Sequence, residues 1–257
     1  MRSLWEHRQV LRMLVQRDLQ KQYTKFRLGY LWTIIEPLGM SMVLWFVFTM
    51  LLGPRKLGLQ PYLLFLSIAI LPWWWFTKGI AQSAQVFQKN KNQLRISTLP
   101  TELWVLRVLI VTMMEFILSL PVIGLAMLIT RTLPGPLIVL YPLGVVVQFM
   151  LMYGLALTIS SWSVVVPDLA RIVRIAMRAM FYLTPVLYAM SNIPERIRPF
   201  AALNPVVAPI GLYRIGFWPQ EHESATHYAI SFALCAIIVV VGIVVFRKLE
   251  PRILKEA

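Results

Sequence analysis

A single cysteine in 257 residues, Cys235, rules out an internal disulfide. Charge is scarce too: 14% of residues are Asp, Glu, Lys or Arg, against about 25% in an ordinary soluble chain. With 58% hydrophobic residues, a globule of this size could not hide its apolar surface. A bilayer is the natural solvent, and the same composition excludes a disordered chain, a collagen-like repeat and a disulfide scaffold. No G-x-x-x-x-G-K-[S/T] loop occurs, so the chain is not expected to bind and hydrolyse ATP itself. His7, His222 and His227 lie outside the centres of the apolar stretches, and no Cys/His cluster has metal-ligand spacing. There is no G-x-S-x-G elbow and no D-x-D pair. These absences argue against an enzyme and against any resident cofactor or metal.

What is present is a succession of long apolar stretches. Residues 1–27 carry Arg2, Arg8, Arg12, Arg17, Lys21, Lys25 and Arg27 but no long apolar core, which is unlike a signal peptide. Leu4, Leu11, Leu14, Val15, Leu19, Tyr23 and Phe26 stripe one helical face there, so an amphipathic interfacial helix is predicted. Six apolar stretches come next, at 28–52, 61–80, 103–130, 137–166, 172–190 and 227–246. Each is near or above the ~20 residues that a spanning helix needs. Pro185 breaks the fifth. Segment 191–226 holds a shorter apolar run, 205–218, suited to short re-entrant helices whose backbone must be covered by protein. The fold class expected is all-α: a single polytopic membrane domain over 1–257 with six transmembrane helices.

The net charge of +14 would suggest nucleic acid in a soluble protein. In a membrane protein it reads as basic cytoplasmic loops or attraction to anionic lipid and phosphate, and no nucleic-acid partner is expected. Seventeen basic residues fall on one side: the seven above, Lys89, Lys91, Arg95, Arg171, Arg174, Arg178, Arg247, Lys248, Arg252 and Lys255. Six fall on the other: Arg55, Lys56, Arg131, Arg196, Arg198 and Arg214. Lys78 and Arg107 sit near helix ends on the basic side. The bias places both termini in the cytoplasm.

Ionisable residues within spans are costly and mark function or an internal pair. Glu115 lies about 18 Å along the third stretch. Arg171, Arg174 and Arg178 share one face of the fifth, with Asp168 just before it, complementing the helix N-terminus and Arg171. Two readings are open. Glu115 pairs with a residue such as Arg178, or Arg174 and Arg178 guide an anionic head group from the inner leaflet. Glu36, followed by Pro37, is a third candidate. Aromatics are the other signal: Trp73, Trp74, Trp75, Tyr182 and others either form belts and helix contacts or line a path on which sugar faces stack.

Arg17-Asp18-Leu19, then Leu28-Gly29-Tyr30-Leu31-Trp32 and Glu36-Pro37-Leu38, resemble the opening of ABC-2 type permeases, specifically those exporting polysaccharide or polyol-phosphate glycopolymers. Pro167-Asp168-Leu169, Thr184-Pro185-Val186-Leu187-Tyr188, Leu203-Asn204-Pro205, Tyr213-Arg214 and the closing Phe246-Arg247-Lys248-Leu249-Glu250-Pro251 extend the similarity in order along nearly the whole chain. Glu36 stands where many members carry Asn. The 17 Arg against 8 Lys suit a GC-rich source; with such a source, the resemblance implies an actinobacterial galactan exporter within that group.

The resemblance implies a homodimer served by two separate ABC ATPase subunits that bind ATP and Mg. The substrate implied is a glycan on polyprenyl diphosphate, such as an O-antigen, a galactan or a teichoic-acid-like polymer, moved across the bacterial cytoplasmic membrane. Residues placed on its path are Arg27, Glu36, Trp73, Trp74, Trp75, Glu115, Arg174, Arg178 and Tyr182. Residues placed at the ATPase contact are Arg8, Arg12, Arg17, Asp18, Lys89, Lys91 and Arg95. The alternatives are an ABC-2 drug or small-lipid exporter and a membrane glycosyltransferase acting on the lipid carrier.

Overall fold

The computed structural model describes residues 6–23, 28–51, 58–97, 99–221 and 225–256. Arg2, Leu4, Lys25, Phe26, Arg27, Arg55, Lys56, His222 and Glu223 lie outside the described residues, so the place of Arg27 on the substrate path rests on the resemblance alone.

Among the described residues the regular structure is helical: α1 (Arg8–Tyr23), α2 (Trp32–Phe46), α3 (Tyr62–Ser83), α4 (Val86–Lys89), α5 (Lys91–Ile96), α6 (Thr101–Ser119), α7 (Pro121–Thr130), α8 (Tyr141–Val165), α9 (Leu169–Leu183), α10 (Arg198–Ala202), α11 (Val207–Arg214) and α12 (Ala225–Glu256). Among the described residues, five segments are long and apolar enough to cross a bilayer: Gly29–Leu51, Tyr62–Ser83, Thr101–Thr130, Pro136–Val165 and Ala225–Glu256. Proline marks several starts. Pro121 opens α7 and Pro142 opens α8, positions where a missing N–H leaves no bond unmade.

The fifth predicted stretch differs. Its helix begins earlier than Ile172 and ends at Leu183, not at Met190. Fifteen residues reach only about 22 Å, short of the ~30 Å hydrocarbon core. The stop has a local cause: Thr184 is extended (φ −99°, ψ 139°), because the ring of Pro185 disfavours the helical conformation for the residue before it. The last helix is also longer than 227–246. It runs through Pro251 to Glu256, so its basic end continues beyond the apolar stretch.

The centre of the fold is α3, which packs against α2, α6, α7, α8, α9 and α11. Around it, α8 and α12 lie in close contact, and glycines permit the approach. A methyl group on Gly242 would stand 2.3 Å from the Gly154 carbonyl oxygen, and one on Gly154 would stand 2.6 Å from that of Ile238. Buried Gln148 of α8 donates to the Pro72 carbonyl of α3 at 2.8 Å and accepts from the Tyr213 hydroxyl of α11 at 3.2 Å. One polar side chain thus ties three elements together and satisfies a backbone acceptor in an apolar interior.

The short helices α10 and α11 occupy the segment before the last helix, in keeping with its length. α11 is buried against α3, α8 and α12. Its Arg214 holds the irregular chain after α9: one guanidinium nitrogen donates to the Pro185 carbonyl at 2.6 Å and the other to that of Val186 at 2.7 Å. The same group stacks 3.6 Å over the Phe65 ring. Asn204 donates to the Thr184 hydroxyl at 2.8 Å, and the Tyr62 hydroxyl to the Leu187 carbonyl at 2.9 Å. Helix-free backbone is tolerated within a membrane protein because protein groups satisfy it. Arg214, counted by sequence among outer-loop charges, is therefore a buried structural residue.

Candidate functional site

A cavity of about 1110 Å³ opens between the end of α1, α2, α3, α6 and α9. Its walls include Glu36 of α2; Trp73, Trp74, Trp75 and Lys78 of α3; Glu115 and Phe116 of α6; and Arg174, Arg178 and Tyr182 of α9. Every described residue that the sequence placed on a substrate path therefore borders one space, drawn from four helices. The volume slightly exceeds the range for small-ligand sites, about 300–1,000 Å³, so the space suits part of a large substrate.

The helical faces explain the convergence. Arg174 and Arg178 sit four residues apart, one above the other on the exposed face of α9, whereas Ala170 and Val173 turn inward. Arg171, on the same stretch, pairs loosely with Asp168 at 3.9 Å, both well exposed, which is a contact of little energetic weight.

Glu115 does not pair with Arg178. Its Oε2 lies 2.7 Å from Lys78 Nζ, with the carboxylate side chain 9% exposed and the lysine 43% exposed. In the sequence Lys78 looks like a cation near a helix end; its position one wall away from a buried carboxylate is the signal that only packing reveals. Three cations, Lys78, Arg174 and Arg178, face two carboxylates, Glu36 and Glu115. Since Lys78 and Glu115 neutralise one another, the arginines and Glu36 leave an excess of positive charge.

The aromatic residues divide by burial. Trp73 and Trp75 are both 3% exposed: Trp75 stacks on Phe116 at 4.8 Å and Trp73 leans on Phe181 at 5.9 Å. They build the wall. Trp74 is half-buried and Tyr182 is exposed, and Trp32, absent from the sequence-based set, joins them at the cavity. These three rings offer faces to a ligand.

None of the residues assigned to an ATPase contact lines that cavity. Arg8, Arg12 and Arg17 are exposed along α1, and Lys89, Lys91 and Arg95 are exposed on α4 and α5. Asp18 turns inward instead. It accepts from Arg107 Nε at 2.5 Å and Nη2 at 2.6 Å, a bidentate pair that fastens α1 to α6. Nearby, Thr101 donates to Glu250 of α12 at 2.5 Å and the Tyr153 hydroxyl donates to Glu102. Gln88 donates to the Ser163 carbonyl at 3.1 Å. These bonds join α6 to α12 and α8, and α4 to α8.

The family described as ABC-2 type transporter matches residues 9–218. The chain belongs to that family. This makes it a multi-pass membrane transport protein, and the match runs from α1 through α11. Similarity to individual relatives extends further. The O-antigen export system permease protein RfbA of Klebsiella pneumoniae is 27% identical over 248 residues, 95% of this chain and 93% of its own length. That of Myxococcus xanthus is 28% identical over 241 residues, 93% of this chain and 90% of its own. The polysialic acid transport protein KpsM of Escherichia coli is 22% identical over 248 residues, 94% and 93% respectively. The ABC-2 permease thus matches these relatives over almost their full length.

Proposed function

We propose that this ABC-2 protein is the permease subunit of an exporter that moves a polysaccharide, carried on polyprenyl diphosphate, across the bacterial cytoplasmic membrane. Two copies form the transmembrane path, and two separate ABC ATPase subunits, binding ATP and Mg, drive it from the cytoplasmic side. O-antigen, galactan and teichoic-acid-like polymers are the substrate classes of this reading. Both termini are cytoplasmic, and the whole chain acts as one domain. In this reading α9 and the irregular residues after it, held by Arg214, together make the sixth crossing.

The observation that carries the proposal is the cavity. It combines an arginine pair on an exposed face with the rings of Trp32, Trp74 and Tyr182, in a chain similar along its length to polysaccharide export permeases. Arginine forks suit phosphate oxygens. Aromatic faces give sugars sliding contacts without fixing them. ATP binding on the partner can move the path only by favouring one permease conformation energetically, and the basic surface of α1, α4 and α5 is the place for that contact.

The test is Arg174→Gln combined with Arg178→Gln. Both side chains are exposed, so the protein should fold normally, while export should fall about tenfold or more, equivalent to about 1.4 kcal/mol. Surface glycan at normal levels in the double variant would overturn the anion-guiding role.

A further inference from the structure

Lys78 and Glu115 form an ion pair that borders the cavity, and its two members are unequally committed. The lysine side chain is 43% exposed and the carboxylate 9%. Glu115 Oε2 takes the lysine, whereas Oε1 is buried and makes no hydrogen bond. The neighbouring donor is Tyr23, the last residue of α1, itself buried and bordering the same cavity. Burial first, then the charge of the Glu115 carboxylate and a hydrogen bond to it, hold its hydroxyl well above the usual phenol range, so it is a protonated donor beside that carboxylate.

We propose that Lys78, Glu115 and Tyr23 relay the presence of an anionic group in the cavity to the interfacial helix α1. This rests on the anion-binding reading above and adds the means by which loading is sensed. A phosphate group in the cavity competes for the half-exposed lysine. Once Lys78 turns toward it, the buried carboxylate loses its counter-ion, and an uncompensated buried charge is strongly unfavourable. The Tyr23 hydroxyl is the group placed to compensate it. Filling the cavity therefore tightens the seat of α1, whose other end of the fastening is the Asp18–Arg107 pair. By linkage, a tightly seated α1 binds the anion more strongly by the same factor.

The experiment uses the full-length protein with its ATPase partner in nanodiscs of zwitterionic lipid, with farnesyl diphosphate as probe and farnesol as the uncharged control. Binding is read by quenching of tryptophan fluorescence, and α1 seating by amide hydrogen exchange in the peptide covering 16–23. Farnesyl diphosphate, but not farnesol, should slow exchange there by about fivefold or more, the low end of ordinary coupling between sites. Tyr23→Phe, which keeps the ring and its packing, should still quench but lose that slowing. Glu115→Gln, near-isosteric and without the charge to compensate, should lose it as well. Quenching without slowed exchange in the native protein, or full slowing in Tyr23→Phe, would overturn the relay while leaving the cavity an anion site. Absence of quenching by farnesyl diphosphate would overturn both.

Discussion

Two apolar segments of similar length, Gly29–Leu51 and Tyr62–Ser83, meet opposite fates. In the most apolar window of the second, 83% of residues are buried within the chain; in that of the first, 11% are. Both contain an internal proline, Pro37 and Pro72, and both are rich in aromatic and aliphatic residues. Apolar composition says that a segment leaves water, and it does not say whether lipid, a second protein or the same chain receives it. The second segment is the hub of the protomer. The first turns Glu36 and Trp32 to the cavity and leaves Val43, Phe46, Met50 and Leu51 exposed. The cavity is thus assembled where a buried helix and a sparsely packed one border the same space.

The comparison is sharpened most by adjacent tryptophans. Trp75→Ala removes a ring stacked on Phe116 in the hub and should cost about 3–5 kcal/mol of stability. Trp74→Ala, at the cavity surface, should cost under about 2 kcal/mol of stability while lowering export. Calorimetry of the purified protein, paired with surface glycan measurement, separates the two. Equal destabilisation would mean that Trp74 is wall and not lining.

Glycines make the same contrast at smaller amplitude. Gly242→Leu forces a side chain into the Gly154 carbonyl, and backbone cannot step aside cheaply. The expected loss is about 2–3 kcal/mol, visible as a lowered melting temperature. Gly39→Ala, in the sparsely packed segment, has nothing within 4 Å of the new methyl, so it should be neutral or slightly stabilising, as helix propensity favours alanine. A large loss at Gly39 would reveal a tightly packed neighbour from another chain.

A third, smaller effect is expected at the irregular chain after α9. Arg214→Lys replaces a fork holding the Pro185 and Val186 carbonyls with a single ammonium. About 1.5 kcal/mol should be lost, with the helices otherwise intact by circular dichroism. An unchanged melting temperature would show that the segment is held by Tyr62 and Asn204 alone.

Much of this arrangement is readable from residue order. Helix positions come from apolar runs, the short helices before α12 from a run too brief to span, and the cavity set from charges and rings that a bilayer would otherwise reject. What escapes is tertiary. Lys78 near a helix end and Arg214 in an apparent loop look like solvated cations in one dimension, and only packing brings Lys78 to Glu115 and Arg214 into the carbonyls after Pro185. Asp18 reads as part of an exposed basic helix until Arg107 arrives from α6. The end of α9 at Leu183 is half legible: Pro185 announces a break, and the restriction on Thr184 moves it one residue earlier.

The central claim is tested most directly by depleting the protein in its host and locating the lipid-linked glycan. Export by this permease predicts intact synthesis with build-up on the cytoplasmic leaflet, and the composition of the accumulated polymer identifies the substrate. Unchanged delivery to the outer face, with an altered glycan structure, would contradict it and point to a membrane enzyme acting on the carrier.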